Sequence, residues 1–302
     1  MLIVTYRKIF YALTTLLVVA SLLSIALFGL NFGIDFNGGS IMEVSYNAEV
    51  PNKEQLETRL SSLAIGSFSL RRTGENGFIL RTPELSENAH LAVLEALSLN
   101  GMYSVTQERL SVVGPVIGSE LKNKALVALF IVIVAIALFI AFVFRKVSEP
   151  VSSWKYGVIA IVALLHDILI PVGIFAALGY YFGSEADALF VMALLAILGY
   201  SINDTIIVFD RVRENLRLNG DLNRKEDFEL TVGKSLTQTY ARSINTSLTT
   251  AFVLLTLFFF GPHATQDFSL VLLVGVIAGA YSSIFLATPL LVTIQRRSAK
   301  HI

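Results

Sequence analysis

The sequence contains no cysteine, few charged side chains and no excess of either charge sign. Charged residues make up 15% of the 302 residues, whereas a soluble domain carries about 25%. The absence of cysteine excludes disulfides, thiolate metal sites and cysteine nucleophiles. The 23 basic side chains balance the 23 acidic ones, and without a polybasic tract we expect no nucleic-acid binding.

What the chain has instead is apolar residues, at 54% of the total and with a mean hydropathy of +0.68. About 20 helical residues cross a hydrocarbon core of about 30 Å, and six segments meet that requirement. The first has no small-residue cleavage site after it, so we expect a retained helix and not a signal peptide. The predicted spans one to six are residues 1–30, 124–144, 156–180, 188–209, 240–261 and 268–294, the last five forming a bundle over 124–295.

Lysine and arginine are distributed unevenly among the connecting segments. They occur before span one, between spans two and three, between spans four and five, and in the tail at 296–302. The short loops 181–187 and 262–267 contain none. Because positively charged short loops stay in the cytoplasm, both termini are predicted to be cytoplasmic.

The segment between spans one and two, residues 31–123, must then lie on the periplasmic side. Its apolar patterns predict strands and helices alternating in the order βαββαβ, the ferredoxin-like split motif. These elements are a strand at 41–46, a helix at 53–63, strands at 67–72 and 78–81, a helix at 87–97 and a strand at 103–110. In the second helix, Leu91, Leu94 and Leu97 form the apolar stripe predicted to cover the sheet.

The predicted fold class is therefore a membrane all-α bundle of six transmembrane helices with an inserted periplasmic α+β domain of ferredoxin-like type. Two pairs of residues mark where the chain enters and leaves the insert: Gly38 with Gly39, and Gly114 with Pro115. Such residues are typical of turns, and a moving hinge is the alternative that the sequence leaves open.

Several polar residues fall inside the predicted spans, where an ionisable group costs about 2.5–3.5 kcal/mol and is a functional candidate by default. His166 and Asp167 lie near the middle of span three, and Asn203 and Asp204 lie in span four. Arg242 opens span five.

Asp204 and Arg242 are predicted to lie at similar depths. At 1.5 Å per residue, Asp204 is roughly 9 Å from Asp210 and Arg242 roughly 12 Å from Lys234, both measured from the cytoplasmic surface. A carboxylate placed between a low-dielectric wall and a movable arginine can exchange a proton.

Static roles are the alternatives for these groups. Asp167 could bond only to His166 or its helix neighbours, Asp204 could form a permanent ion pair, and Arg242 could reach the headgroups as an interfacial anchor. Three hydroxyl residues continue from Arg242 along one helical face and could hydrogen-bond across to span four: Thr246, Thr249 and Thr250.

Long segments of this sequence resemble the SecF family of the bacterial protein-export machinery, within the resistance-nodulation-division superfamily. They include NFGIDFNGGS, VVGPVIGSEL, LLHDILIPVGIFA, LLAILGYSINDTIIVFDRVREN, ARSINTSLTT and DFSLVLLVGVIAGAYSSIFLATPLLV. The resemblance implies a multi-pass protein of the bacterial inner membrane that pairs with SecD and uses the ion gradient to promote preprotein translocation. It further implies association with the SecY, SecE and SecG translocon and names YajC and YidC as candidate partners.

The same resemblance places Asp204 and Arg242 in the family's ion pathway and aligns its His-Asp pair with His166 and Asp167. It leaves the coupling ion open between H⁺ and Na⁺, and it implies no other cofactor and no metal.

Two other function classes match the residues less well. An efflux pump of the same superfamily, exporting a lipid or small molecule, usually has twelve helices and two large inserts, and this chain has a single small insert. An intramembrane protease using Asp167 and Asp204 would need a GxGD-type pattern, which is absent before Asp204. Without HExxH or GxSxG motifs, we predict that the chain is not an enzyme.

Overall fold

The computed structural model describes residues 2–47, 49–146, 151–222, 224, 226–262 and 265–299, so the last three residues of the predicted tail lie outside it. The chain divides into two compact units. One comprises Met1–Asn31 and Val127–Ile302 and contains most of the long helices, and the other is Phe32–Leu126.

Within the described part of the chain, six helices are long and apolar enough to cross a membrane. Spans one to six are Arg7–Phe28, Pro115–Val143, Ser153–Phe182, Ala188–Asp221, Phe228–Phe260 and Gln266–Arg297. The sixth consists of an α-helix at Gln266–Tyr281, a π-helical segment at Ser282–Ala287 and an α-helix at Thr288–Ala299. Short helical turns occur at Leu2–Thr5 and Phe144–Lys146.

Spans three, four and six form the centre of the bundle. Between 50% and 61% of their most apolar stretches is buried within the chain, against 11% to 17% for spans one, two and five. Glycines allow the close approach, because a Cβ at Gly279 would lie 2.8 Å from Ser201 Cβ, and one at Gly173 would lie 2.5 Å from Ser21 Cα. Small residues at helix crossings are the usual means of packing in membranes.

The helices of spans four and five continue well beyond the residues predicted to lie in lipid. The two helices form a hairpin, in which the first helix ends at Asp221 and the second begins at Phe228. The spans predicted from the sequence end at residue 209 and begin again at residue 240, so both helices are longer than predicted. The Asn215 amide donates to Ser235 Oγ at 2.8 Å, and the Asn219 amide donates to Thr231 Oγ1 at 3.1 Å. Hydropathy locates the lipid-facing part of a helix but does not detect such polar extensions.

The inserted unit contains a short helix at Ile34–Asn37, then β1 Gly39–Tyr46, α1 Lys53–Ser61, β2 Ser69–Thr73, β3 Gly77–Thr82, α2 Glu87–Leu97 and β4 Val105–Val113. The four strands form an antiparallel sheet in the order β2-β3-β1-β4. Asn52 and Ser86 cap the two longer helices, their side chains accepting from Glu54 N and Ala89 N. Each strand lies within three residues of its predicted limits.

The apolar core of this unit corrects one sequence-based expectation. Leu91 is 60% exposed, whereas Val93, Ala96 and Leu97 are buried, so the face of α2 that covers the core is rotated from the predicted stripe. The four-residue spacing from Val93 to Leu97 also places both side chains on one helical face, so the sequence contains a second possible apolar stripe.

Tyr46 anchors the same core from β1. Its ring packs edge-on against Phe78, and its hydroxyl donates to the carbonyl of Leu97 at 2.9 Å. Burial raises the pKa of Tyr46 to about 12, because the phenolate would lose its hydration.

Candidate functional site

Asp167, in the middle of span three, joins three helices inside the bundle. Its side chain is completely buried, and His166 Nδ1 lies 2.8 Å from Oδ1. On the other side, Oδ2 accepts hydrogen bonds from the hydroxyl of Ser201 in span four and, at 2.8 Å, from that of Ser282 in span six. Both oxygens of Asp167 therefore have hydrogen-bond partners inside the bundle.

The His166 ring continues this network toward span one. It stacks on the Tyr281 ring with centroids 5.8 Å apart, and Tyr281 donates its hydroxyl to the carbonyl of Phe10 at 3.2 Å. Ser282, which follows Tyr281, is the first residue of the π-helical segment. Because π-helical turns often occur at functional sites, the segment adds weight to this cluster.

Asp204, one helical turn after Ser201 on span four, has a different environment. It is also buried, at 1% exposure, but among the described residues its carboxylate accepts a hydrogen bond from Ser247 alone, whose hydroxyl lies 3.3 Å from Oδ2. The adjacent Thr205 hydroxyl lies 2.8 Å from that of Ser283 in the π-helical segment. Asp204 therefore has fewer hydrogen-bond partners than Asp167.

Asn203 and Arg242 lie on the outer surface of the bundle, where both residues are exposed. Within the described part of the chain, no ion pair joins Arg242 to Asp204 or to any other carboxylate. The static pairing considered from the sequence is thus not what this structure contains. Asn245, one turn along span five, is exposed on the same helix.

The three threonines of span five have unequal contacts with span four. The Tyr200 hydroxyl of span four lies 3.1 Å from both Thr250 Oγ1 and the carbonyl of Thr246. Thr249 donates only to carbonyls of its own helix, at 2.8 and 3.0 Å.

The glycines at the entrance to the insert adopt backbone conformations that other residues rarely adopt. Gly38 has φ +77° and Gly39 has φ +136°, and a Cβ on Gly38 would lie 2.7 Å from Pro115 Cα. Gly114 ends the sheet, and Pro115 is the first residue of the span-two helix, where its fixed φ and missing N–H are compatible with helix initiation.

Sequence reasoning missed the hydroxyl partners of the two aspartates, which are Ser201, Ser247 and Ser282. Serine is common in membrane helices, so a single serine gives no signal. The spacing from Ser201 to Asp204 and from Ser243 to Ser247 shows a shared face, but the partner helix becomes evident only in three dimensions. No group of three or more metal-ligating side chains occurs among the residues described.

Comparison with known proteins gives consistent matches. Residues 93–297 match the family model for the C-terminal part of protein export membrane proteins SecD/SecF, and residues 23–50 match the SecD/SecF GG motif. Protein translocase subunit SecF of Thermobaculum terrenum is 42% identical, covering 98% of this chain and 94% of the relative. The SecF subunit of Anaerolinea thermophila is 36% identical over 95% of this chain and 91% of its own length.

Solved structures give the same result. SecDF from Thermus thermophilus, described as a translocon-associated membrane protein, matches 97% of this chain with a TM-score of 0.82 and 31% identity. SecDF in a super-membrane-facing form matches with a TM-score of 0.66. This chain spans 38% and 39% of the length of those two chains.

Proposed function

We propose, since this chain belongs to the SecD/SecF family of protein export membrane proteins, that it couples the entry of an ion at Asp204 to preprotein translocation. Its curated relatives are protein translocase subunits, which supports a role in Sec protein export. The resemblance to the translocon-associated SecDF supports assembly with SecD next to the SecY, SecE and SecG translocon of the inner membrane. The distribution of lysine and arginine supports the placement of both termini in the cytoplasm.

The contrast between the two buried aspartates supports the proposal. Asp167 has its partners already in place, so a change in its charge would disturb its contact with His166 and its bonds to spans four and six. Asp204 has one long hydrogen bond, so gaining or losing an ion there costs little structure. We therefore assign the coupling ion to Asp204, and His166 and Asp167 to the same pathway as the pair that fixes span four beside it.

A membrane potential supplies enough free energy for such coupling. One elementary charge crossing 100 mV releases about 2.3 kcal/mol, which shifts a two-state equilibrium about 50-fold. Because the Thr205 and Ser283 hydroxyls meet beside Asp204, a displacement of span four would reach the π-helical segment of span six directly.

The exposed polar residues of spans four and five support a partner interface. Asn203, Arg242 and Asn245 are poorly suited to lipid, because polar groups in membrane helices face protein or water. We assign this face to SecD, which would place Arg242 between the two subunits. We also assign the insert to the ferredoxin-like class, which its strand order supports.

The test is an Asp204→Asn substitution assayed in membrane vesicles that contain SecD and the translocon. We expect preprotein translocation to lose its stimulation by an imposed gradient, while membrane insertion and co-purification with SecD are unchanged. Applying proton and sodium gradients separately identifies the coupling ion.

Asp210→Asn is the matched control, because Asp210 lies six residues further along the same helix but is exposed and paired with Arg213 at 2.9 Å. Full stimulation in Asp204→Asn would refute the proposal. If Asp210→Asn loses as much gradient stimulation as Asp204→Asn, the effect comes from removing any carboxylate of span four.

A further inference from the structure

Span five carries a hydroxyl side chain at every fourth position of its buried face. These residues are Thr231, Ser235, Thr239, Ser243 and Ser247, and none is more than 7% exposed. Residues four apart are neighbours on the surface of an α-helix, so the hydroxyls form a row inclined to the helix axis, here called the hydroxyl ladder. From Thr231 to Ser247 the ladder is roughly 24 Å long at 1.5 Å per residue.

The hydroxyl ladder follows span four from Asp204 to the end of the helical hairpin. At its inner end Ser247 bonds to Asp204. At its outer end the Asn215 and Asn219 amides donate to Ser235 and Thr231. These three pairs keep one antiparallel register, which places Ser243 opposite Ile207 and Val208.

Ser243 is the member that simple helix packing does not explain. Ser235 donates to the carbonyl of Thr231 at 2.8 Å, and Thr239 donates to that of Ser235 at 3.1 Å, as serine and threonine commonly do inside helices. The Ser243 hydroxyl is fully buried and has no hydrogen-bond partner within the described residues. Buried hydroxyls normally have one, so this position points to a ligand.

The spacing of the hydroxyl ladder fits water. Four helical residues rise about 6 Å, and two successive O–H···O bonds of about 2.8 Å span nearly the same distance. One water molecule between neighbouring hydroxyls would therefore complete a hydrogen-bonded chain. A sodium ion would need several oxygen ligands at one level, whereas the ladder offers one hydroxyl per turn.

We propose that the hydroxyl ladder binds a single file of water and conducts the coupling proton between Asp204 and the cytoplasmic end of the hairpin. Each hydroxyl accepts a proton from the water on one side and releases its own to the water on the other, so no net charge stays on the ladder. Val208, which the shared register places opposite Ser243, is buried, so an apolar side chain borders the route at this level. The inference rests on the proposed function of Asp204 and adds the route by which the ion reaches it.

The lack of native cysteine allows a direct test. Ser243→Cys and Thr239→Cys are made singly, and inverted membrane vesicles holding the complex are exposed to Ag⁺ from the cytoplasmic side. Ag⁺ is small enough for a water file and blocks thiolates, which form where water reaches the sulfur. The unblocked thiols are counted with a fluorescent maleimide after denaturation.

Leu236→Cys is the control, because Leu236 is buried on the same helix and 3% exposed but lies outside the ladder. We expect both ladder cysteines to be blocked at least about tenfold faster than the control. Equal rates at Ser243→Cys and Leu236→Cys would overturn the proposal.

A second measurement uses translocation itself. Ser243→Ala removes only the hydroxyl and should reduce the gradient-dependent rate about fivefold, the factor expected for one lost hydrogen bond, while Ser243→Thr restores it. An unchanged rate in Ser243→Ala together with equal Ag⁺ rates would reject the ladder and leave Asp204 as the ion site. Retained stimulation in Asp204→Asn would instead reject the ion site.

Discussion

Removing the Asp167 carboxylate should lower the free energy of unfolding more than removing the Asp204 carboxylate, although both residues are buried aspartates in adjacent spans. Asp167→Ala deletes contacts to His166, Ser201 and Ser282 at once. Ser282 keeps its bond to the carbonyl of Gly279, but His166 Nδ1 and the Ser201 hydroxyl lose the partner they have in the bundle. Asp204→Ala deletes a single bond of 3.3 Å. The two substitutions therefore separate the anchoring role from the ion-binding role.

The magnitude follows from the number of partners. Hydrogen bonds between membrane helices contribute about 0.6 kcal/mol on average and up to about 1.7 kcal/mol each, so the two bonds from Asp167 to spans four and six account for about 1 kcal/mol. Leaving the buried His166 and Ser201 groups unpaired adds about 1–3 kcal/mol for each. We expect Asp167→Ala to lower the free energy of unfolding by about 3–5 kcal/mol, Ser282→Ala by about 1 kcal/mol and Asp204→Ala by less than about 1 kcal/mol.

The assay is equilibrium unfolding of the purified protein in mild detergent, followed by circular dichroism as denaturing detergent is added. Translocation is measured in parallel. The expected pattern is a destabilised Asp167→Ala and a near-normal Asp204→Ala that has lost gradient stimulation. If the free energy of unfolding of Asp167→Ala lies within about 0.5 kcal/mol of that of the unaltered chain, Asp167 is not an anchor of the bundle.

Two further pairs of substitutions test the packing of spans one and three and the contact with SecD. Gly173→Ala should lower the free energy of unfolding by about 1–3 kcal/mol, because its Cβ would lie 2.5 Å from Ser21 Cα, whereas Gly199→Ala, with open space around its Cβ, should be neutral or stabilising by up to about 1 kcal/mol. Both are checked by the same unfolding assay, and equal effects would show that the close approach of spans one and three is not tight. Asn203→Cys should cross-link to single-cysteine variants of SecD in membranes, whereas the exposed Leu126→Cys, on span two, should not; the reverse result would assign the partner to a different face.

The number and approximate position of the membrane helices could be predicted from the sequence, because lipid imposes a strong and local requirement for apolar residues. Helix ends were less predictable. The span-two helix begins at Pro115, about nine residues before its predicted start, because a Glu120–Lys124 pair and the amino-terminal proline extend it outside the most apolar stretch. Whether a polar segment continues a helix depends on the neighbour that satisfies its side chains, as Asn215 and Ser235 do for each other.

For the site, the intramembrane charges gave the signal and the geometry gave the distinction. His166, Asp167 and Asp204 were equally prominent in the sequence, since each is an expensive group in an apolar stretch. Their roles differ because Asp167 faces spans four and six, where serines meet it, while Asp204 faces span five. Which helices pack together is a tertiary property, and no spacing along one helix contains it.

The hydroxyl ladder falls between these two cases. Its four-residue period is present in the printed sequence, yet threonine and serine every fourth residue also describe an ordinary helix-packing face. Burial of all five side chains fits either interpretation. The unpartnered hydroxyl of Ser243 makes the difference, because packing alone would let it donate to the carbonyl four residues earlier, as Ser235 and Thr239 do. A periodic pattern thus becomes evidence for an ion route only at the position where the structure departs from the local hydrogen bonding that the pattern predicts.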